Sequence, residues 1–253
     1  SHDTISFNYV ADFGNLELST TIYENDFARN WFKVDKIDNN KVYGHGNGIN
    51  NIITAANAGE ATASAILNGT NAQAVQIKLK NNNRAYTSEG TVLKLQYNTD
   101  KQSLTIGYRD TEDSEDRFQV YATTDWINGR LGALNVGSDP GYSSNNRLTS
   151  SEATAFYINE EVNFGALTIN VGFRSEEWEI SQDRFVDAAR SAINIENGYP
   201  KKLADSNNSL KGFGAIYDMY DTTQFFIGFH EGFTPTGGGA DPEEADNMEI
   251  GVR

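Results

Sequence analysis

The side chains that could do chemistry are scarce in some kinds and plentiful in others. There are three histidines, His2, His45 and His230, and no cysteine. No two histidines stand at HxH or HxxxH spacing, so a metal site is not expected, and thiolate chemistry is excluded. Gly44-His45-Gly46-Asn47-Gly48 lacks the Lys-Ser/Thr of a phosphate loop and precedes no strand–helix unit, so it reads as flexible loop. There is no GxSxG elbow, and serines and histidines fall on distant segments. Neighbouring carboxylates recur at Glu112-Asp113, Glu115-Asp116, Glu176-Glu177 and Glu243-Glu244. Glycoside chemistry needs two such groups facing each other across a cleft, whereas these lie in exposed polar stretches. Neither a catalytic residue nor an enzyme activity is expected. Guanidinium groups remain. Arg109, Arg117, Arg130 and Arg174 fall on polar strand faces or outer loops, where each can grip a carboxylate by two parallel hydrogen bonds. His230 falls on a polar face at a strand end. These are the candidate binding residues. The competing reading is that the arginines pair with the many Asp and Glu side chains around them.

The composition limits what could hold such groups. The 253 residues carry 20 Lys and Arg against 35 Asp and Glu, a formal net charge of −15. Such a chain repels phosphate backbones, so no nucleic-acid partner is expected. Apolar residues make up 38% and the mean hydropathy is −0.55. No run approaches the ~18 apolar residues of a spanning helix. A membrane β-barrel is not excluded, because its apolar residues hide at every second position. The acidic clusters at Asp110 to Asp116 and Asp241 to Asp246 lie between strand-like runs and read as solvated loop surface. The chain opens Ser-His-Asp and stops at Gly-Val-Arg, so both ends read as cuts in a longer protein.

Period-two runs supply the elements. Ile5, Phe7, Tyr9 and Ala11 alternate with polar neighbours up to a turn at Phe13-Gly14-Asn15, and Leu16, Leu18, Thr20 and Ile22 return. Further runs place Leu93, Leu95 and Tyr97, then Leu104, Ile106 and Tyr108, on one face. Thr154 to Val162, Leu167 to Phe173, Phe213 to Met219, Phe225 to Phe229 and Met248 to Val252 follow. Pro235 and the Gly237-Gly238-Gly239 run end the strand before the last, and Asp241-Pro242-Glu243-Glu244 is expected to turn the chain. About nine strands result. Tight turns are expected at 13–15, 98–101, 163–166 and 220–223, and long connections at 33–83, 110–151, 175–207 and 234–244. A short helix is expected within Ile49 to Asn68, and a second helical stretch from Arg184 to Asn194, ended by Pro200.

The opposite strand faces carry Glu17, Lys94, Arg109, Arg174 and Asp218. In a soluble sandwich that face meets water; in a membrane barrel it lines the lumen, and the apolar face meets lipid. Tyr9, Phe13, Tyr97, Phe164 and Tyr220 stand beside the short turns. Tyr23, Phe27, Trp31, Tyr108, Phe173 and Phe233 stand toward the long connections, as two aromatic girdles would. If lipid surrounds nine strands, they form an open sheet roughly 43 Å wide at about 4.8 Å per strand, and further strands must close it.

A family resemblance spans nearly the whole chain, strongest at residues 5–35, 84–120 and 152–174 and in the tail. The tail GFHEGFTPTGGGADPEEADNMEIGVR resembles late barrel strands of TonB-dependent outer-membrane receptors, with a Gly-Phe-x-Pro step, a Pro-Glu-Glu turn and an Asn-x-Glu-x-Gly strand in that order. The first hairpin, YVADFGNLELSTTIYENDFARNWFKVD, is similar to hairpins of the ferric dicitrate branch. The resemblance implies an all-β fold: about nine strands of an antiparallel up-and-down transmembrane β-barrel of ~22 strands, with long extracellular loops carrying short helices. Residues 1–253 would be one part of the barrel domain, without the plug or the final strands. The implied role is energised uptake of a ferric siderophore or ferric citrate-like chelate in the bacterial outer membrane. TonB would act through the missing plug, the protein would be a monomer in lipid, and the chelate would be cargo, with no resident cofactor. The alternatives are a passive or structural barrel and a soluble glycan-binding β-sandwich.

Overall fold

The computed structural model describes residues 1–45, 48–140, 145–235 and 242–253. The strands are β1 (His2–Asp12), β2 (Leu16–Lys36), β3 (Val75–Asn98), β4 (Gln102–Ile127), β5 (Arg130–Leu131), β6 (Asn135–Val136), β7 (Asn146–Asn163), β8 (Leu167–Arg184), β9 (Lys201–Tyr220), β10 (Thr223–Thr234) and β11 (Glu243–Val252). All belong to one sheet. The nine long strands lie side by side in chain order, each antiparallel to the next, and β5 and β6 pair with the far end of β4.

Tight turns join one end of the sheet, as the sequence predicts. Two of them share one construction. Gly14 has φ 80° and donates its N–H to Asp12 Oδ1 at 2.8 Å; Gly165 has φ 82° and donates to Asn163 Oδ1 at 2.8 Å. A Cβ would strain both positions, so Asx-Phe-Gly writes the same hairpin twice. The other end carries the long connections, 37–74, 128–145, 185–200 and 235–242.

These connections are shorter than the sequence pattern suggests, because the strands run further. The acidic stretch Asp110 to Asp116 is the middle of β4, not a loop, and Glu243 and Glu244 begin β11 rather than turn the chain. Strands polar on both faces carry no hydrophobic period, yet their backbone ladder continues unbroken. The helix expected over Arg184 to Asn194 is absent. Phe185 instead bridges to Ile193, and Arg190, at φ 56°, reaches back to Asp116 and to Asn146 Oδ1. The helix in the first long connection is two helices, α1 (Ile49–Asn57) and α2 (Ala61–Asn68), broken at Gly59 with φ 86°. Positions 46–47 and 237–241, expected to be flexible or turning, lie outside the described residues.

The two helices form a small dry cap. Ile52, Ala63 and Ile66 pack with Ile37 and Val75 from the strand ends, and Trp126 donates its indole N–H to the Ile66 carbonyl at 2.7 Å. Asp38, fully buried, accepts the backbone N–H groups of Tyr43 and His45 at 2.9 Å each. His45 contacts Thr62 and Glu60, so it pins the cap.

Elsewhere burial is inverted. Leu18, Leu95, Ile106, Ile158 and Phe173 stand opposite one another across β2, β3, β4, β7 and β8. Their face carries most of the large apolar side chains of the sheet that stay exposed: Phe7 is 59% exposed, Val171 45% and Ile250 77%. The opposite face buries Asn82, Thr111, Gln119 and Gln182. A sheet that exposes grease and buries amides is folded for lipid outside and water inside.

Candidate ligand-facing wall

The inner face begins with glycines that admit aromatic rings. A Cβ on Gly107 would lie 2.0 Å from Tyr157 Cζ, and one on Gly251 would lie 2.4 Å from Phe226 Cζ. Each ring lies across the strand opposite a residue with no side chain, which flattens the wall near the short-turn end.

Higher on the same face the expected residues separate. Arg109 and Arg174 come together in a cleft of about 190 Å³, with Thr111, Asp113, Trp178 and Pro235. The Arg174 fork is held by Glu176 Oε2, with Nε at 2.7 Å and Nη2 at 2.6 Å, as the pairing alternative predicts. Among the described residues Arg109 has no such partner. Arg117 lies eight residues further along β4, on the same face and outside the cleft. Arg130 sits at the exposed tip beyond β4, paired through its backbone with Ile127. His230 lies two strands from Arg174, opposite Gly212 and Asn247. The candidate residues therefore mark several places along one wall.

Four arginines escaped the sequence reading. Arg29 pairs in register with Arg84, Arg84 with Arg117, Arg117 with Arg147, and Arg147 with Arg184. Glu115 serves two of them: Arg84 Nη1 donates to Oε2 at 2.9 Å and Arg147 Nη2 to Oε1 at 3.1 Å. Among the described residues Arg117 donates to neutral amides, Gln119 Oε1 at 2.8 Å and Asn145 Oδ1 at 3.5 Å. It stands well past the apolar part of β4. Partial burial, then the charges of Arg147 and Arg84, lowers its pKa from the usual guanidinium value. Arg29 lies over the rings of Trp31 and Tyr86, and Arg184 over Tyr199.

Register also corrects the outer girdle. Tyr108 and Phe173 share the apolar face, but Tyr23, Phe27 and Trp31 are odd-numbered residues of β2 and turn inward with Arg29. Phe233 packs on inward-facing Trp178, ring centroids 6.0 Å apart. Register likewise separates the neighbouring carboxylates. Glu112 and Asp116 point outward while Asp113 and Glu115 point inward, so adjacent acids never face each other.

An outward apolar belt, a polar inner face rich in arginine, and connections sorted by length define the wall of an antiparallel membrane β-barrel. The TonB dependent receptor-like, beta-barrel family matches residues 2–253, and the chain belongs to that family of the bacterial outer membrane. Two solved structures share the fold. The ferric citrate transporter FecA, unliganded, aligns with a TM-score of 0.57 at 14% identity over 100% of this chain and 32% of that one. The siderophore receptor PiuA from Acinetobacter baumannii aligns with a TM-score of 0.54 at 12% identity over 99% of this chain and 37% of that one. The chain thus spans about a third of the length of each.

Proposed function

We propose that this segment is part of the barrel wall of a receptor for energised uptake of a ferric chelate, driven by TonB through a plug that fills the lumen. The observation that carries this reading is the inverted burial: apolar rows turned to lipid around a wet inner face with Arg109, Arg174 and Arg117 at successive heights. FecA and PiuA, which share the fold, are described as a ferric citrate transporter and a siderophore receptor. The described sheet has free edges at β1 and β11. Unpaired edge groups in hydrocarbon cost several kcal/mol each, so closing strands belong to the same barrel. Arg130 at the rim and His230 on the inner face are further ligand contacts in this reading. The chelate is cargo, and the receptor works as a monomer.

The test is uptake of ⁵⁵Fe chelates by cells with and without the gene, before and after collapse of the inner-membrane proton gradient. Gene-dependent uptake that stops on collapse is expected. Uptake that persists would identify a passive pore, and unchanged uptake of every chelate would end the iron reading.

A further inference from the structure

Five guanidinium groups in direct cross-strand register need an explanation. Arg29, Arg84, Arg117, Arg147 and Arg184 face the same side of five adjacent strands. At about 4.8 Å per strand the row is roughly 19 Å long. Like charges placed directly opposite destabilise a sheet, and among the described residues the row has a single bridging carboxylate, Glu115, shared by Arg84 and Arg147. Lys33 and Lys80 stand opposite each other four residues beyond, where Asp35 pairs with Lys80 at 3.4 Å and closes the positive surface on that side.

A second observation concerns unmet hydrogen bonds. Arg117 Nε and Arg147 Nε are buried without a partner, and so are Trp178 Nε1 and Asn208 Nδ2. All four belong to inner-face side chains, and all are donors. The buried unpartnered acceptors, Asp38 Oδ1, Asn71 Oδ1 and Asn81 Oδ1, lie in the cap or on the outer face. The inner wall therefore has too much positive charge and too many N–H groups for its own acceptors. A compact ligand that presents several carboxylate oxygens supplies both deficits, since each guanidinium takes a carboxylate by paired hydrogen bonds.

We propose that the arginine row is a binding site for a polyanionic, carboxylate-rich metal chelate, and that it makes the receptor discriminate by ligand charge. The transport part rests on the function proposed above; the binding part rests on the row alone. The row holds the chelate by its oxygens and forms no bond to the metal.

The test uses the whole receptor in outer-membrane vesicles, with ⁵⁵Fe-citrate as the polyanionic probe and a neutral ferric trihydroxamate as control. Ferric citrate binding is expected to weaken about tenfold in Arg117→Gln and in Arg147→Gln, and less in Arg117→Lys. Arg29→Gln, at the exposed end of the row, should weaken it several-fold without touching the packed centre. In the unaltered receptor, raising salt from 0.05 to 0.5 M should weaken citrate binding severalfold and leave the neutral chelate unaffected. No citrate binding by the unaltered receptor, binding within twofold in the folded Gln variants, or equal affinity for the neutral chelate would overturn the proposal. Row-dependent binding without energised uptake would leave the row standing and remove the transport reading. Energised uptake of the neutral chelate, indifferent to the row, would do the reverse.

Discussion

Two rows of five residues cross the same strands, β2, β3, β4, β7 and β8. Leu18, Leu95, Ile106, Ile158 and Phe173 form one; Arg29, Arg84, Arg117, Arg147 and Arg184 form the other. On every strand the two are eleven residues apart, for example 29 − 18 and 117 − 106. Eleven is odd, so the rows point to opposite sides of the sheet. At about 3.3 Å per residue they stand roughly 36 Å apart along the strand, which at a barrel tilt of about 40° is roughly 28 Å along the membrane normal, about the height of a barrel's apolar band. The backbone is the same at both levels. The surrounding medium differs, and it decides which face may carry what. In the belt the outward face must be apolar. Beyond it both faces are wet, and the period of two sorts charge instead of polarity.

The contrast can be broken most directly in the apolar row. Ile106→Arg should cost about 2–4 kcal/mol if its face meets mid-bilayer lipid, whereas Thr105→Arg, its inward neighbour, should be far milder. Urea titration of the receptor folded into lipid vesicles measures both, and equal costs would reject the orientation. Gly107→Val drives a branched side chain into the Tyr157 ring and should cost about 1–3 kcal/mol in the same titration; pairing it with Tyr157→Ala should recover part of the loss. In the arginine row, Glu115→Gln removes the shared counter-charge of Arg84 and Arg147. The side chains are about a fifth exposed, so the expected cost is about 1–2 kcal/mol, below that of a fully buried pair. Added citrate should offset it if the row takes carboxylates.

The smallest effect lies in the connection after β8. Asp187 accepts hydrogen bonds from the Ser191 hydroxyl and backbone N–H, which lower its pKa below the usual carboxylate value. A depressed carboxylate stabilises above its unfolded pKa of about 3.9 and loses that contribution as pH falls through the folded value. Backbone protection at Ser191 should therefore be unchanged from neutral pH down to about 4 and fall only below it, and Asp187→Asn should abolish that step. Hydrogen exchange at matched intrinsic rates measures it.

Much of this was legible in the order of residues. Asp12-Phe13-Gly14 and Asn163-Phe164-Gly165 announce their hairpins, and the belt residues of each strand show the period of two. Sequence also held half of the arginine row. Counting outward from the turn at 99–101 brings Arg84 opposite Arg117, and from the turn at 164–166 Arg147 opposite Arg184. Reading Ser175 to Arg184 and Asp110 to Asp116 as loop hid those pairs, since strands without grease leave no period. The other matches, Arg29 with Arg84 and Arg117 with Arg147, cross long connections, where no turn fixes the register. The cap was half legible: its helical residues showed, but Gly59 had to break them into two pieces before Ile52 and Ile66 could share a core.

Beyond the belt, the outward positions at the level between the two rows include Asp26, Glu89, Glu112 and Glu152, while the guanidinium row stands on the inward side three to five residues further along the strands. A negative skin thus lies outside and membrane-ward of a positive lining. Seen from the cell surface, the flank of such a wall turns anions away and only its open mouth draws them in. The sign of the field, and not a moving part, then sets the direction from which a negatively charged solute can arrive.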